Sequence, residues 1–233
     1  MTSTLRFLTI LAACAAWQSL DAAEITGKVK LTGTPPPEKP IPLDANCTKV
    51  QPKAITTRHY IVGQDSGLGN VFVWIKEGVS KKYDPPATAA VLDQTGCEYM
   101  PYMQGVQTGQ KFKILNSDPF LHNVNCQPAN NKGFNIAQVT KGQTTERVFD
   151  KPEVLIKFKC DVHPWMFAYV GVVDHPFFGV TDKDGNFKIA NLPAGKYTIE
   201  AYHLKAGKKT EEITVADGDK KEVSFTLAVP APQ

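Results

Sequence analysis

Seven consecutive residues, Cys160-Asp-Val-His163-Pro-Trp-Met166, constrain this chain more than any other stretch. They place a thiol, an imidazole and a thioether at Cys-x-x-His-x-x-Met spacing. The residues before them, Val154-Leu-Ile-Lys-Phe-Lys-Cys160, read as a strand. With a period of 2, Val154, Ile156, Phe158 and Cys160 share one face and Lys157 and Lys159 the other. The Cys160 sulfur is therefore aimed inward. A surface thiol or a structural disulfide would not require that placement, whereas a buried metal thiolate does. His122, in Asn116-Ser-Asp-Pro-Phe-Leu-His122-Asn-Val124, follows another short strand, Lys111-Phe-Lys-Ile114, and can close the site from a neighbouring element.

These donors suit one metal in particular. Cu(I) prefers thiolate and thioether, Cu(II) prefers imidazole, and a His-Cys-His plane with a weak axial Met serves both without rearranging. The expected ligands of one copper cycling between Cu(I) and Cu(II) are Cys160, His122, His163 and, on the axis, Met166.

The rest of the chain reads as all-β. Its 17 Gly, 17 Pro and scattered β-branched runs favour short strands and turns. Ile25, Gly27, Val29 and Leu31 alternate with polar residues and predict an edge strand, halted by Thr34-Pro-Pro-Pro-Glu-Lys-Pro40. Residues 41–66 have weak periodicity and read as loop, Asn70 to Ile75 as a buried strand, and Lys81 to Ala90 as a connector. Glu146 to Phe149 and Tyr169 to Val173 read as further strands, followed by a distinct unit of short strands and turns from Thr181 to Leu227. Asp184-Gly185 predicts a hairpin turn, because both residues tolerate positive φ. A calcium loop over Asp182, Asp184 and Asn186 fails at its sixth position, which needs Gly and holds Phe187.

Arg6, the apolar run from Phe7 to Ala13 and the small residues up to Ala23 predict a secretory signal peptide over residues 1–23. Cleavage near Ala22 or Ala23 competes with lipid attachment at Cys14 in Leu11-Ala-Ala-Cys14, so the expected location is periplasmic or extracellular, with membrane contact only through a lipid anchor. Of the five cysteines, Cys47, Cys97 and Cys126 remain once Cys14 and Cys160 are assigned. Cys47 with Cys97 is the preferred disulfide; spacing leaves Cys47 with Cys126 and Cys97 with Cys126 open.

Asp118-Pro-Phe-Leu-His122-Asn123-Val124 together with Cys160-x-x-His163-Pro164-x-Met166 resembles the cupredoxins, with a loop closest in spacing to amicyanin and pseudoazurin. The resemblance implies a Greek-key β-sandwich over residues 88–174, and places Asn123 near the Cys160 sulfur, tying the ligand loops together. It implies that the edge of His163 is the electron port, ringed by an apolar docking patch of Pro164, Trp165 and Phe167. Cys126 has no counterpart in that pattern. Thr181-Asp-x-Asp-Gly-x-Phe187 and Asn191-Leu-Pro-x-Gly-x-Tyr197 resemble the transthyretin-like, carboxypeptidase regulatory-like sandwich. That implies a host sandwich over 24–87 and 175–228, a tail over 229–233, and the cupredoxin inserted between its strands. A Cys47–Cys97 bond would then staple host to insert.

The expected function is one-electron carriage between redox proteins. Copper storage or delivery, and a metal-free surface binding module, are the alternatives. A formal charge of +3 with no Lys/Arg run longer than a pair argues against a nucleic-acid partner. An enzyme is not expected: no His-x-His pair for further copper sites, nucleophile elbow, zinc-protease helix or phosphate loop occurs. His59, His175 and His203 are expected in loops or at the surface.

Overall fold

The computed structural model describes residues 22–231. Residues 1–21, which hold most of the expected leader and Cys14, lie outside it, as do residues 232–233. In chain order the strands are β1 (Ala23–Thr32), β2 (Phe72–Glu77), β3 (Ala90–Thr95), β4 (Glu98–Met100), β5 (Met103–Gln107), β6 (Phe112–Asn116), β7 (His122–Cys126) and β8 (Phe134–Gln138). They continue as β9 (Thr144–Arg147), β10 (Glu153–Lys159), β11 (Phe167–Val173), β12 (Phe178–Val180), β13 (Asn186–Leu192), β14 (Gly195–His203), β15 (Gly207–Val215) and β16 (Lys220–Ala228). A short α-helix, α1 (Ala45–Val50), and one 3-10 turn (Gln64–Ser66) interrupt them among the described residues. The fold is all-β, and its strands stack as β-sandwiches.

One sandwich uses both ends of the chain. A sheet ordered β13-β1-β16 faces a sheet ordered β12-β2-β14-β15. Ile25, Val29 and Leu31 of β1 pack with Val73, Ile75, Ile199 and Phe225 in a shared core. The alternation read from β1 holds, but its place in the sheet does not. β1 is central, paired antiparallel to β13 and parallel to β16, where an edge strand was expected. The prolines that argued for an edge fall after the strand and remove none of its ladder donors.

The second sandwich lies between β2 and β12 in sequence, and β12 returns to pair directly with β2, Phe178 opposite Trp74. Its sheets are β5-β11-β10-β7-β8 and β4-β3-β6-β9. Leu92, Phe112, Ile114, Val124, Phe149, Ile156 and Phe158 fill the space between them. The two sandwiches meet through Phe72, Tyr102, Met103, Tyr169 and Val173, flanked by Trp74 and Phe178. Gly171 and Gly105 are opposite one another across β11 and β5 at this seam. A Cβ on Gly171 would stand 2.5 Å from the Phe72 ring, and one on Gly105 2.3 Å from the Phe178 ring. Two glycines side by side are what let the aromatic rings of one sandwich lie against the sheet of the other.

Several local expectations change. Leu155 has φ +61°, and the β10–β11 register shifts between Glu153 and Ile156. This bulge breaks the alternation, so Ile156, Phe158 and Cys160 enter the sandwich core while Val154 packs on the inter-sandwich cluster. The Asp184-Gly185 turn, with Gly185 at φ +81°, joins strands of two different sheets instead of closing a hairpin. Residues 41–66, read as loop, contain α1, whose N-cap is Asp44. His175 and His203 are buried, not surface-exposed. His175 Nε2 lies 2.7 Å from the Ile75 carbonyl, and His203 Nδ1 accepts from the Lys205 and Ala206 amides at 3.3 and 3.0 Å.

Candidate metal centre

β7 and β10 are neighbours, with Phe158 opposite Cys126 and Lys159 opposite Asn125. Because they run antiparallel, the start of β7 and the end of β10 coincide at one rim, which brings His122 to Cys160. The loop from Cys160 to Met166 closes on itself: the Cys160 amide donates to the Met166 carbonyl at 3.0 Å, and the Met166 amide to the His163 carbonyl at 2.9 Å. His163 is thereby folded back over Cys160.

The donor atoms converge. His122 Nδ1 and His163 Nδ1 are 3.0 Å apart, and the Cys160 sulfur is 3.7 Å from His163 Nδ1. One ligand atom from each of His122, Cys160 and His163 lies within 4.8 Å of the other two. All three residues are buried, and Met166 is wholly buried in the same apolar cluster as Cys160. A thiol and two imidazoles gathered away from water, with Met166 buried in the same cluster, form a donor set fit for a thiophilic transition metal.

Each imidazole is held from behind, as ligand histidines are. His122 Nε2 lies 2.8 Å from Asp118 Oδ2. The Asp118 carboxylate also accepts from the Gly96 and Cys97 amides, both at 2.8 Å. Burial alone would push the Asp118 pKa up; these hydrogen bonds outweigh it and hold the carboxylate below its ordinary range. Burial pulls His122 down, but Asp118 and Cys160 more than reverse that, and its pKa is raised. His163 Nε2 faces Asp44 Oδ2 at 3.2 Å. Here burial and the neighbouring His122 prevail, and the His163 pKa is lowered.

Burial also raises the Cys160 thiol, but hydrogen bonds from His122 and nearby groups outweigh it, leaving the pKa lowered. Asn123 Oδ1 accepts from the Asp161 amide at 2.7 Å and from the Cys160 thiol at 3.3 Å. Its amide nitrogen donates to Asp161 Oδ2 at 3.0 Å and Asn135 Oδ1 at 2.8 Å. Asn123 thus joins β7, β8 and the ligand loop at the sulfur.

His163, whose edge is the expected electron port, lies beneath a second segment of the chain. The residue is 4% exposed, covered by the segment that carries Asp44. Pro164 is exposed, but Trp165 and Phe167 are half-buried. All three line a cavity of about 380 Å³ together with Pro40, Ile41 and Pro42. The Trp165 indole donates to the Cys97 carbonyl at 3.1 Å. Cys47 and Cys97 form a disulfide, with a Cα–Cα distance of 5.6 Å. It fixes the covering segment to the turn between β3 and β4.

Cys126 joins none of the donor clusters among the described residues. It is fully buried, and burial pushes its thiol up to about 12, so it behaves as an apolar side chain. Asp118 and Asp44 were not anticipated as site residues. Asp118 could have been noticed four positions before His122; Asp44 gave no signal beyond its place as a helix N-cap three residues before Cys47.

Residues 168–228, from within β11 through β16, match the family model of the carboxypeptidase regulatory-like domain. No curated protein matches the chain. Among solved structures, a purple cupredoxin from Nitrosopumilus maritimus is 28% identical over 36% of this chain and 98% of its own, with a TM-score of 0.31. A reduced amicyanin variant is 19% identical over 43% and 97%, with a TM-score of 0.33. A copper-containing nitrite reductase from Thermus scotoductus SA-01 is 19% identical over 42% of this chain, with a TM-score of 0.35. The match spans 25% of the nitrite reductase's own length.

Proposed function

We propose that this chain is an exported, mononuclear copper protein that carries single electrons between redox proteins. The observation that carries the proposal is the buried convergence of His122 Nδ1, His163 Nδ1 and the Cys160 sulfur beside Met166. Copper held there supplies a one-electron couple whose two states share one ligand set. The protein's part is to keep that set still. Cys160 sits at the end of β10, His122 opens β7, and Met166 directly precedes β11, so three strands of one sheet anchor the ligands. Asp118 and Asn123 fix the His122 ring and the Cys160 sulfur by hydrogen bonds, and the apolar core excludes water.

The Cys47–Cys97 disulfide supports the exported reading, since such bonds persist in oxidising compartments. The role is carriage, not catalytic turnover. Copper storage gains no support from Cys126, the spare thiol that would have motivated it, because it stands apart from the donors.

Voltammetry of the copper-loaded protein tests the proposal. A reversible one-electron wave that is lost in Cys160→Ser is expected. Copper that binds only as exchangeable Cu(I), with no reversible wave, would replace carriage by storage or delivery.

A further inference from the structure

We infer that Asp44 is a positioning residue of the metal centre, and that the Cys47–Cys97 bridge holds it in place. This rests on the copper reading above and adds a second carboxylate to the shell behind the ligands, delivered by a segment that lies in sequence between two strands of the other sandwich.

Asp44 uses its two carboxylate oxygens for different tasks. Oδ1 accepts from the Asn46 and Cys47 amides at 2.9 and 2.8 Å and so caps α1. A cap needs only that oxygen. Oδ2 is turned to His163 Nε2 at 3.2 Å. A ligand imidazole whose outer nitrogen meets a carboxylate has its tautomer and ring angle set. In His163 this leaves Nδ1 directed at Cys160 and His122.

The bridge ties this contact to its counterpart at His122. The Cys47 amide donates to Asp44, and the Cys97 amide donates to Asp118, which holds His122. The sulfurs of Cys47 and Cys97 and a nitrogen of His163 lie within 4.8 Å of one another. So do the Cys97 sulfur, an Asp118 oxygen and a nitrogen of His122. One covalent bond therefore spaces two carboxylates, and each carboxylate braces one imidazole. Both cysteines are fully buried, so the brace is protected from solvent.

The test uses the full chain with its disulfide intact, first metal-free and then with Cu(II). Side-chain nitrogen NMR of the metal-free protein reads the two imidazoles without reference to copper. Asp44→Asn is expected to shift the His163 ring resonances most, with a smaller shift at His122, whose Nδ1 is 3.0 Å from that ring, and Asp44→Glu to restore them. A double Cys47→Ser, Cys97→Ser variant is expected to move both rings; if it does not fold, the Asp44 variants decide alone. With Cu(II), Asp44→Asn is expected to weaken binding about tenfold and change the copper EPR hyperfine splitting, with the melting temperature little altered, because Asp44 is half-exposed. Unchanged His163 resonances and unchanged Cu(II) affinity in Asp44→Asn would overturn the inference. A parent protein that forms no thiolate–Cu(II) centre would instead defeat the copper reading, and the NMR comparison would still decide whether Asp44 sets His163.

Discussion

His122 Nδ1 and His163 Nδ1 face each other at 3.0 Å, and the Cys160 sulfur stands 3.7 Å from His163 Nδ1, so one nitrogen of each ring and the sulfur are directed at the same small volume.

The metal-binding forms of these groups are thiolate and neutral imidazole, so metal competes with protons for all three. Cu(II) uptake is therefore expected to release protons, and affinity to fall as pH is lowered. Calorimetric titrations in buffers of different ionisation enthalpy measure the release directly; a binding heat independent of the buffer would contradict it.

Asp118→Asn removes the charge behind His122 and disturbs the acceptor of two amides, that of Gly96, half-buried, and that of Cys97, buried. The expected outcome is about 10–100-fold weaker copper binding together with a stability loss of about 1–3 kcal/mol. Copper titration and urea unfolding check the two effects separately.

Cys126→Ala should leave the copper spectrum unchanged and cost about 1 kcal/mol of stability, because the thiol packs opposite Phe158 and Phe134 and has no place among the donors. In the folded protein Cys126 should resist alkylation, since burial pushes its pKa to about 12. A changed visible spectrum in Cys126→Ala would place it at the metal after all.

His203 predicts an acid-sensitive fold. Burial lowers its pKa from 6.5 to about 4. Between those values the unfolded chain holds a proton that the folded chain does not. The contribution is therefore complete above about pH 6.5 and is lost as pH falls towards 4, up to about 3 kcal/mol. Burial lowers His175 as well, which acts in the same direction. Urea midpoints across this range should drop steeply in the parent and less in His203→Gln; parallel profiles would rule out His203 as the source.

The convergence of Cys160, His163 and Met166 was legible because three donors share one loop after a strand whose alternation aims the sulfur inward. His122 was legible as an imidazole that follows the Lys111-Phe-Lys-Ile114 strand; that it opens a strand of its own, β7, was not. Asp44 was not, because the segment carrying it has no periodicity and its contact with His163 depends on a disulfide. The central place of β1 was hidden for a similar reason: its parallel partner β16 lies at the far end of the chain, and a ladder between chain ends leaves no local pattern. The parity of Val154 failed at Leu155, where a non-glycine residue at φ +61° forms a bulge that composition does not announce. Burial of His175 and His203 was missed because both satisfy backbone groups inside the core, a role sequence alone does not distinguish from exposure.

The most direct measurement is the visible spectrum of the Cu(II)-loaded protein beside that of Cys160→Ser. The account predicts an intense thiolate-to-copper charge-transfer band in the parent and none in the variant. A folded, oxidised parent with no such band, or a band that survives the loss of the Cys160 sulfur, would contradict it.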